Sequence, residues 1–224
     1  MAQDELIFSC DVSALPTGGS YGNPDAFARA DAASNLDGLY SPGDGRWYCG
    51  RVRFRIFASG EPLTPMVTRF FPAYQETIYG GERIVLSKRM FVPFRTGYQH
   101  AVCWQMDFET EGHQYIQIDV DIRWSAVLSD GHVRQPPPEA QETRVRQEMD
   151  RGLLVARTIG AEREVRVFGS NGPPSRIAFV EPGRARLSFF VLAEGYVDVP
   201  FILVFSRSGE QVALLMLDLD RFKQ

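Results

Sequence analysis

Histidine and cysteine are both scarce, three of each in 224 residues, and neither is clustered. His100, His113 and His132 sit in or beside turn-like stretches. No two histidines lie three to five residues apart, and the single His–Cys pair at that spacing, His100 and Cys103, has no second pair to complete a zinc site. No metal site and no cofactor are therefore expected. Cys10, Cys49 and Cys103 are odd in number and far apart, which fits no disulfide framework. Reduced thiols in a cytoplasmic protein are the expectation, and a disulfide between two of them is the alternative. Long apolar runs are also missing. The longest, Val212 to Leu217, falls far short of the roughly 20 residues of a membrane span. The acidic start Met-Ala-Gln-Asp-Glu lacks the charged and apolar segments of a signal peptide. There is no excess of positive charge: Lys+Arg is 24 against 28 Asp+Glu, a net of −4. That gives no electrostatic reason to expect nucleic acid or an anionic membrane as partner. No serine lies in a Gly-x-Ser-x-Gly elbow, and Gly18-Gly19-Ser20 lacks the lysine of a phosphate loop.

What the chain has in plenty is alternation. From Tyr115 onward, Ile116, Ile118, Val120, Ile122 and Trp124 fall on one parity, and Gln117, Asp119, Asp121 and Arg123 on the other. Val102, Trp104, Met106 and Phe108 share a face just before them. A period of two marks strands with one dry and one wet face. Thr110-Glu-Gly-His113 between the runs supplies turn residues, so 101–124 is expected to be a long β-hairpin. Residues paired across it point to the same side, so their numbers sum to an even value. Sums of 222 or 224 are preferred to 226, which would set Asp107 against Asp119.

The same pattern continues through Leu6–Val12, Arg46–Phe57, Val67–Phe71, Gln75–Tyr79 and Arg83–Phe94. It resumes in six runs: Leu153–Ile159, Glu164–Phe168, Arg176–Val180, Ala185–Leu192, Tyr196–Phe205 and Gln211–Leu219. Phe189–Leu192 and Phe201–Phe205 are apolar on both parities, as in strands covered on both faces. Two segments differ. Asn23-Pro24-Asp25 reads as a helix start, with Asn as cap and Pro at the first helical position, and predicts a short helix near residues 24–31. The stretch 129–151, with Pro136-Pro-Pro138 and a charged run after it, reads as a long surface loop. With 44% hydrophobic and 23% charged residues, the chain can bury roughly 70% of its unfolded surface. About thirteen or fourteen strands would curl or split a single open sheet. The expectation is an all-β fold: a large two-sheet antiparallel β-sandwich, with residues 1–224 as a single domain.

Three groups can be weighed for chemistry. Arg51, Arg53 and Arg55 form a basic row that either contacts an anion or, more simply, pairs with Asp119 and Asp121. Those two aspartates stand about 6.6–6.8 Å apart along a strand, which resembles the 6.5–9.5 Å carboxyl spacing of inverting glycosidases. Nothing in the sequence separates their pKa values, and a solvated strand face accounts for them, so no catalytic residue is assigned. Tyr40, Trp47 and Tyr48 border the irregular segment and are the candidate carbohydrate-binding residues, able to stack on a sugar ring if exposed. The alternative is that they cap the sandwich core.

The phrases Asp37-Gly-Leu-Tyr, Arg51-Val-Arg-Phe-Arg, Phe71-Pro-Ala-Tyr-Gln-Glu76 and Arg83-Ile-Val-Leu-Ser-Lys-Arg-Met-Phe-Val-Pro-Phe94, with the stretch to Trp124, carry a resemblance. Together they are similar to the amino-terminal β-sandwich, or super-sandwich, of glycoside hydrolases with an (α/α)6 barrel, near the glycogen-debranching and cellobiose-phosphorylase-like groups. The likeness covers roughly residues 37–125. It implies a galactose-mutarotase-like sandwich that supports an (α/α)6 catalytic domain of the same or an adjacent chain, expected to follow Gln224. The catalytic carboxylates of that family lie in the barrel, so no catalytic residue carries over. The implied role is that of a non-catalytic domain of a carbohydrate-active enzyme, with oligo- or polysaccharide as a further partner. A stand-alone carbohydrate-binding module and a ligand-free assembly protein are the alternatives.

Overall fold

The computed structural model describes residues 8–43, 45–94, 100–124, 145–159 and 161–206. The described chain is almost entirely strand, as the alternation predicts. In order come β1 Phe8–Asp11, β2 Ser20–Gly22, β3 Phe27–Ala30, β4 Leu36–Ser41, β5 Arg46–Cys49 and β6 Arg51–Ala58. Then follow β7 Glu61–Pro62, β8 Thr64–Phe70, β9 Tyr74–Gly81, β10 Ile84–Phe91 and β11 Ala101–Arg123. The last are β12 Val145–Asp150, β13 Leu153–Thr158, β14 Ala161–Ser170, β15 Arg176–Glu181 and β16 Arg184–Ser206. The strand expected at Gln211–Leu219, residues 6 and 7, and most of the expected 129–151 loop lie outside the described residues.

The stretch 101–124 is not a hairpin. β11 runs on through it and pairs antiparallel with β16 over nearly its whole length, from Ala101 opposite Val204 to Arg123 opposite Arg184. The register shifts between Thr110 and His113. There Gly112 (φ +74°) and Gly195 (φ +69°) take backbone angles that suit glycine. The Thr110 hydroxyl donates to the carbonyls of Gly112 (3.1 Å) and Gly195 (3.2 Å) and ties the two strands together at the bulge. A bulge bends the strand that carries it, and here the β11–β16 ribbon folds over. Phe189 and Phe201, both on β16, have ring centroids 5.1 Å apart. A straight strand would hold residues twelve apart at about 40 Å.

Two antiparallel layers result, joined through this ribbon. The amino-terminal half of β11 and the carboxy-terminal half of β16 sit in the order β1-β8-β9-β10-β11-β16-β14-β13-β12. The other halves pair with β6 and β15, and β6 continues through β4 to β3 and β2. Between the layers lies an aromatic core. The Phe54 ring is 5.3 Å from Trp104 and 5.2 Å from Phe201, and Phe168 stacks on Phe201 at 5.8 Å. Val102, Trp104, Met106, Phe108 and the even-numbered run from Ile116 to Trp124 are all buried, so parity identified the dry faces correctly.

Two further expectations are corrected. Residues 24–31 form no helix. Asn23 does cap, but it caps a turn: its Oδ1 accepts from the backbone N–H of Asp25 and Ala26, both at 2.8 Å. The chain then leaves as β3, with Ala28 and Ala30 facing inward. Residues 145–150 are not loop but strand β12, paired with β13. As an end strand it needs little apolar surface; Val145 is buried, Met149 packs on the core, and the charged Arg146, Glu148 and Asp150 alternate with them.

The sequence also understated how polar the interior is. The turn Asp31–Asn35 enters the core and is held there by side chains from β8, β9, β10 and β11. Gln75 donates to Asp31 O (2.8 Å), Tyr79 to Ala33 O (2.8 Å) and Trp104 Nε1 to Ser34 O (3.1 Å). Lys88 is fully buried; its Nζ donates to Asn35 Oδ1 at 2.7 Å and lies 5.2 Å from the rings of Phe54 and Tyr79.

The three cysteines are free thiols, Cys49 and Cys103 buried and Cys10 half-buried. Burial pushes the Cys49 thiol up to about 12 and raises Cys103 as well. A thiol-disulfide reagent at pH 8 is therefore expected to label one cysteine in the native chain and three in denaturant. Rapid native labelling of two or more would contradict this packing.

Candidate functional site

One group of aromatic side chains with an outward face lies on the outer side of β3, β4 and β5. Phe27 stands directly opposite Tyr40, and Tyr40 directly opposite Trp47. Direct cross-strand partners point to the same side, so three aromatic side chains form one row across three strands. Phe27 is 41% exposed and Tyr40 and Trp47 are half-buried. The rings of Tyr40 and Trp47 are 5.3 Å apart and tilted by 53°. The indole lies on the β4 backbone at Gly38: a Cβ there would sit 2.7 Å from Trp47 Cζ3, and φ is +137°. Glycine is needed at this position on both counts.

Beside the row lies a charged trio. Arg29 donates to the Asp37 carboxylate (3.1 Å) and to Asp37 O (3.0 Å), and Arg51 Nε lies 3.5 Å from the other carboxylate oxygen. Aromatic faces stack on the C–H faces of sugars, and planar amides, carboxylates and guanidinium groups hydrogen-bond their hydroxyls. This part of the surface therefore has the chemistry to hold a pyranose ring.

Of the three residues picked from the sequence, Tyr40 and Trp47 are brought together here. Tyr48 is not. It is 1% exposed, its ring lies 4.3 Å from Phe205, and the Arg166 guanidinium sits over it at 5.4 Å. It alternates with Trp47 on the strand and so points into the core. Phe27 was missed because residues 24–31 read as helix; once they are strand, its parity places it outside.

The aspartate pair on β11 is a salt-bridge lattice. Asp119 accepts from Gln117 (2.9 Å) and Ser188 (2.7 Å) and lies 3.8 Å from Arg55. Asp121 meets Arg184 at 2.6 Å and Arg186 at 3.2 Å. Burial pulls the Asp121 carboxyl upward, but the hydrogen bonds from Arg184 and Arg186 outweigh it and hold the group below the ordinary carboxylate range. A general acid needs the opposite shift. Among the described residues, no group of three or more His, Cys, Asp or Glu lies together as a metal site would require. Nor is any helix among them long and apolar enough to cross a membrane.

No protein-family model matches the chain, and no curated protein sequence matches it. Solved structures do. One named "Putative kojibiose phosphorylase from human microbiome" superposes with a TM-score of 0.57 at 11% identity, over 90% of this chain and 32% of that one. The two share a fold. A GH36 α-galactosidase from Geobacillus stearothermophilus also matches, at 15% identity over 85% of this chain and 32% of its own, with a TM-score of 0.30. The chain thus spans about a third of the length of these solved chains.

Proposed function

We propose that residues 1–224 are one β-sandwich domain of a carbohydrate-active enzyme, non-catalytic by itself, which supports a helical (α/α)6 catalytic domain. The observation that carries this is the shared fold over 90% of this chain with one third of a protein named as a sugar phosphorylase. The sequence phrases that resemble the same class of enzymes support it. So does the ion pairing of Asp119 with Arg55 and of Asp121 with Arg184 and Arg186, which holds the Asp121 carboxyl below the ordinary range. On this reading the Phe27–Tyr40–Trp47 row is a sugar-binding surface of the domain.

The test is a titration of the 224-residue chain with oligosaccharides, followed by tryptophan fluorescence and by product release. Trp104 and Trp124 are buried and Trp47 is partly exposed, so a ligand on the row changes chiefly the Trp47 emission. The expected result is a saturable change that Trp47→Ala abolishes, with no glycoside turnover. Turnover lost on Asp119→Asn would make the chain an enzyme and overturn the reading. Unchanged emission with every glycan tried would remove the sugar-binding surface from it.

A further inference from the structure

We infer that this surface takes an acidic sugar, an oligosaccharide of uronic acid type, in preference to a neutral glycan; the inference rests on the sugar-binding reading above. Arg51, Arg123 and Arg184 stand directly opposite one another on β6, β11 and β16. Neighbouring strands are about 4.8 Å apart, and like charges in direct cross-strand pairs repel. The outer two have carboxylates against them: Asp37 on Arg51 at 3.5 Å, and Asp121 and Glu181 on Arg184 at 2.6 and 3.7 Å. Arg123, between them, has no ion pair among the described residues, and neither has Arg53 in the next row. The fold therefore holds a guanidinium group between two others with no carboxylate of its own among the described residues. An anion placed there relieves the repulsion. The chain carries a net charge of −4, so this local cationic row is not a sample of a generally basic surface.

The row and the aromatic platform are continuous. Asp37 bridges Arg29, on the same strand as Phe27, and Arg51, at the end of the arginine row. The next residue, Gly38, carries the Trp47 indole. A sugar ring stacked on Trp47 thus lies beside Arg51, with Arg123 next to it. Guanidinium groups match the planar carboxylate of a uronic acid with two parallel hydrogen bonds, while the ring face of the same sugar remains free to stack. A neutral glucan would use the platform and leave Arg123 unpaired.

The experiment compares three probes on the 224-residue chain by Trp47 fluorescence and calorimetry: tetragalacturonate, maltotetraose and a short polyglutamate. Tetragalacturonate is expected to bind at least about tenfold more tightly than maltotetraose, and to weaken as salt rises from about 0.05 to 0.5 M. Arg123→Gln should lower tetragalacturonate affinity about tenfold without lowering the thermal midpoint or changing maltotetraose binding. If Arg123→Gln proves unstable, Arg53→Gln is the substitute. Equal binding of maltotetraose and tetragalacturonate, unaffected by Arg123→Gln, overturns the acidic-sugar inference and leaves the sugar-binding reading standing. Polyglutamate bound as tightly as tetragalacturonate, with no effect of Trp47→Ala, overturns it in favour of a surface for acidic polymers. Failure of all three probes to bind overturns the inference and counts against the sugar-binding reading as well.

Discussion

Replacing Lys88 by methionine is expected to stabilise the chain at pH 6 by about 1–4 kcal/mol and to remove a pH dependence that the native chain shows above pH 7. Burial holds the Lys88 ammonium down from 10.5 to about 7, only partly offset by the charge of Asp31. Below pH 7 the lysine is protonated in both folded and unfolded chains, and the folded state bears the whole cost of keeping a buried cation. Between pH 7 and 10.5 the unfolded chain holds a proton that the folded chain has released. The unfolded state then binds more protons, so stability rises with pH, by at most about 1.4 kcal/mol per unit and about 5 kcal/mol in all. The buried thiols act with the opposite sign. Cys49 and Cys103 are raised by burial, so the stability they contribute is present below their ordinary value and is lost as pH rises beyond about 9. They are the same in both proteins and cancel in the difference. Methionine leaves no orphan behind: Asn35 Oδ1 still accepts the Phe54 N–H at 3.1 Å, and the Asp31 carboxylate still accepts from Ala33 and Asn35 at 2.8 and 3.0 Å. Urea midpoints of both proteins from pH 6 to 10 measure the effect. A Lys88→Met chain that is less stable at pH 6, with the native slope unchanged, would show that the lysine is held by stronger contacts than one hydrogen bond and two rings.

Lys88 also marks the limit of what alternation reveals. It lies between Leu86 and Met90 on the dry parity of β10, and that parity is enough to flag a buried cation. Its partner Asn35 is beyond the reach of such a pattern, because the turn that carries it comes from 53 residues earlier. The same division holds along β11. Parity named Val102, Trp104, Met106, Phe108 and the even run from Ile116 to Trp124, all buried, since the face of a strand is a local property; it passed over Cys103, buried on the opposite face against Val165 and Val167. It named the wrong partner, since pairing is not local: turn residues at 110–113 serve a bend as well as a reversal. The objection to Asp107 facing Asp119 was physically sound, yet Asp107 does face an aspartate, Asp198. Arg89, 3.3 Å from Asp107, and the Tyr196 hydroxyl at 2.8 Å make that pairing tolerable. At the candidate site the same reasoning found Tyr40 and Trp47. It lost Phe27 to an Asn-Pro-Asp signal that is shared by helix caps and by turns. The arginine row was legible only in part. Arg51, Arg53 and Arg55 were visible on one strand, but their alignment with Arg123 and Arg184 depends on a register set by distant parts of the chain.

That register and the fold-over of β16 can be tested together at Phe201. The ring is 1% exposed and contacts Phe54, Phe168 and Phe189 at 5.2, 5.8 and 5.1 Å. Phe201→Ala is expected to cost about 3–5 kcal/mol, from lost transfer energy and the cavity left behind. Phe190→Ala, 47% exposed on the other face of the same strand, should change stability by no more than about 0.5 kcal/mol. The informative quantity is the coupling between Phe189→Ala and Phe201→Ala. Residues far apart add independently, whereas a packed aromatic pair shows an interaction energy of about 0.5–1.5 kcal/mol. Twelve residues of extended strand would put these rings far out of contact. A measurable coupling therefore requires the bend at Thr110, Gly112 and Gly195, and through it the two facing layers. Additive effects would mean that the halves of β16 do not fold onto each other. The contacts that Phe54 on β6 makes with Trp104 and Phe201 across the layers would then be absent as well.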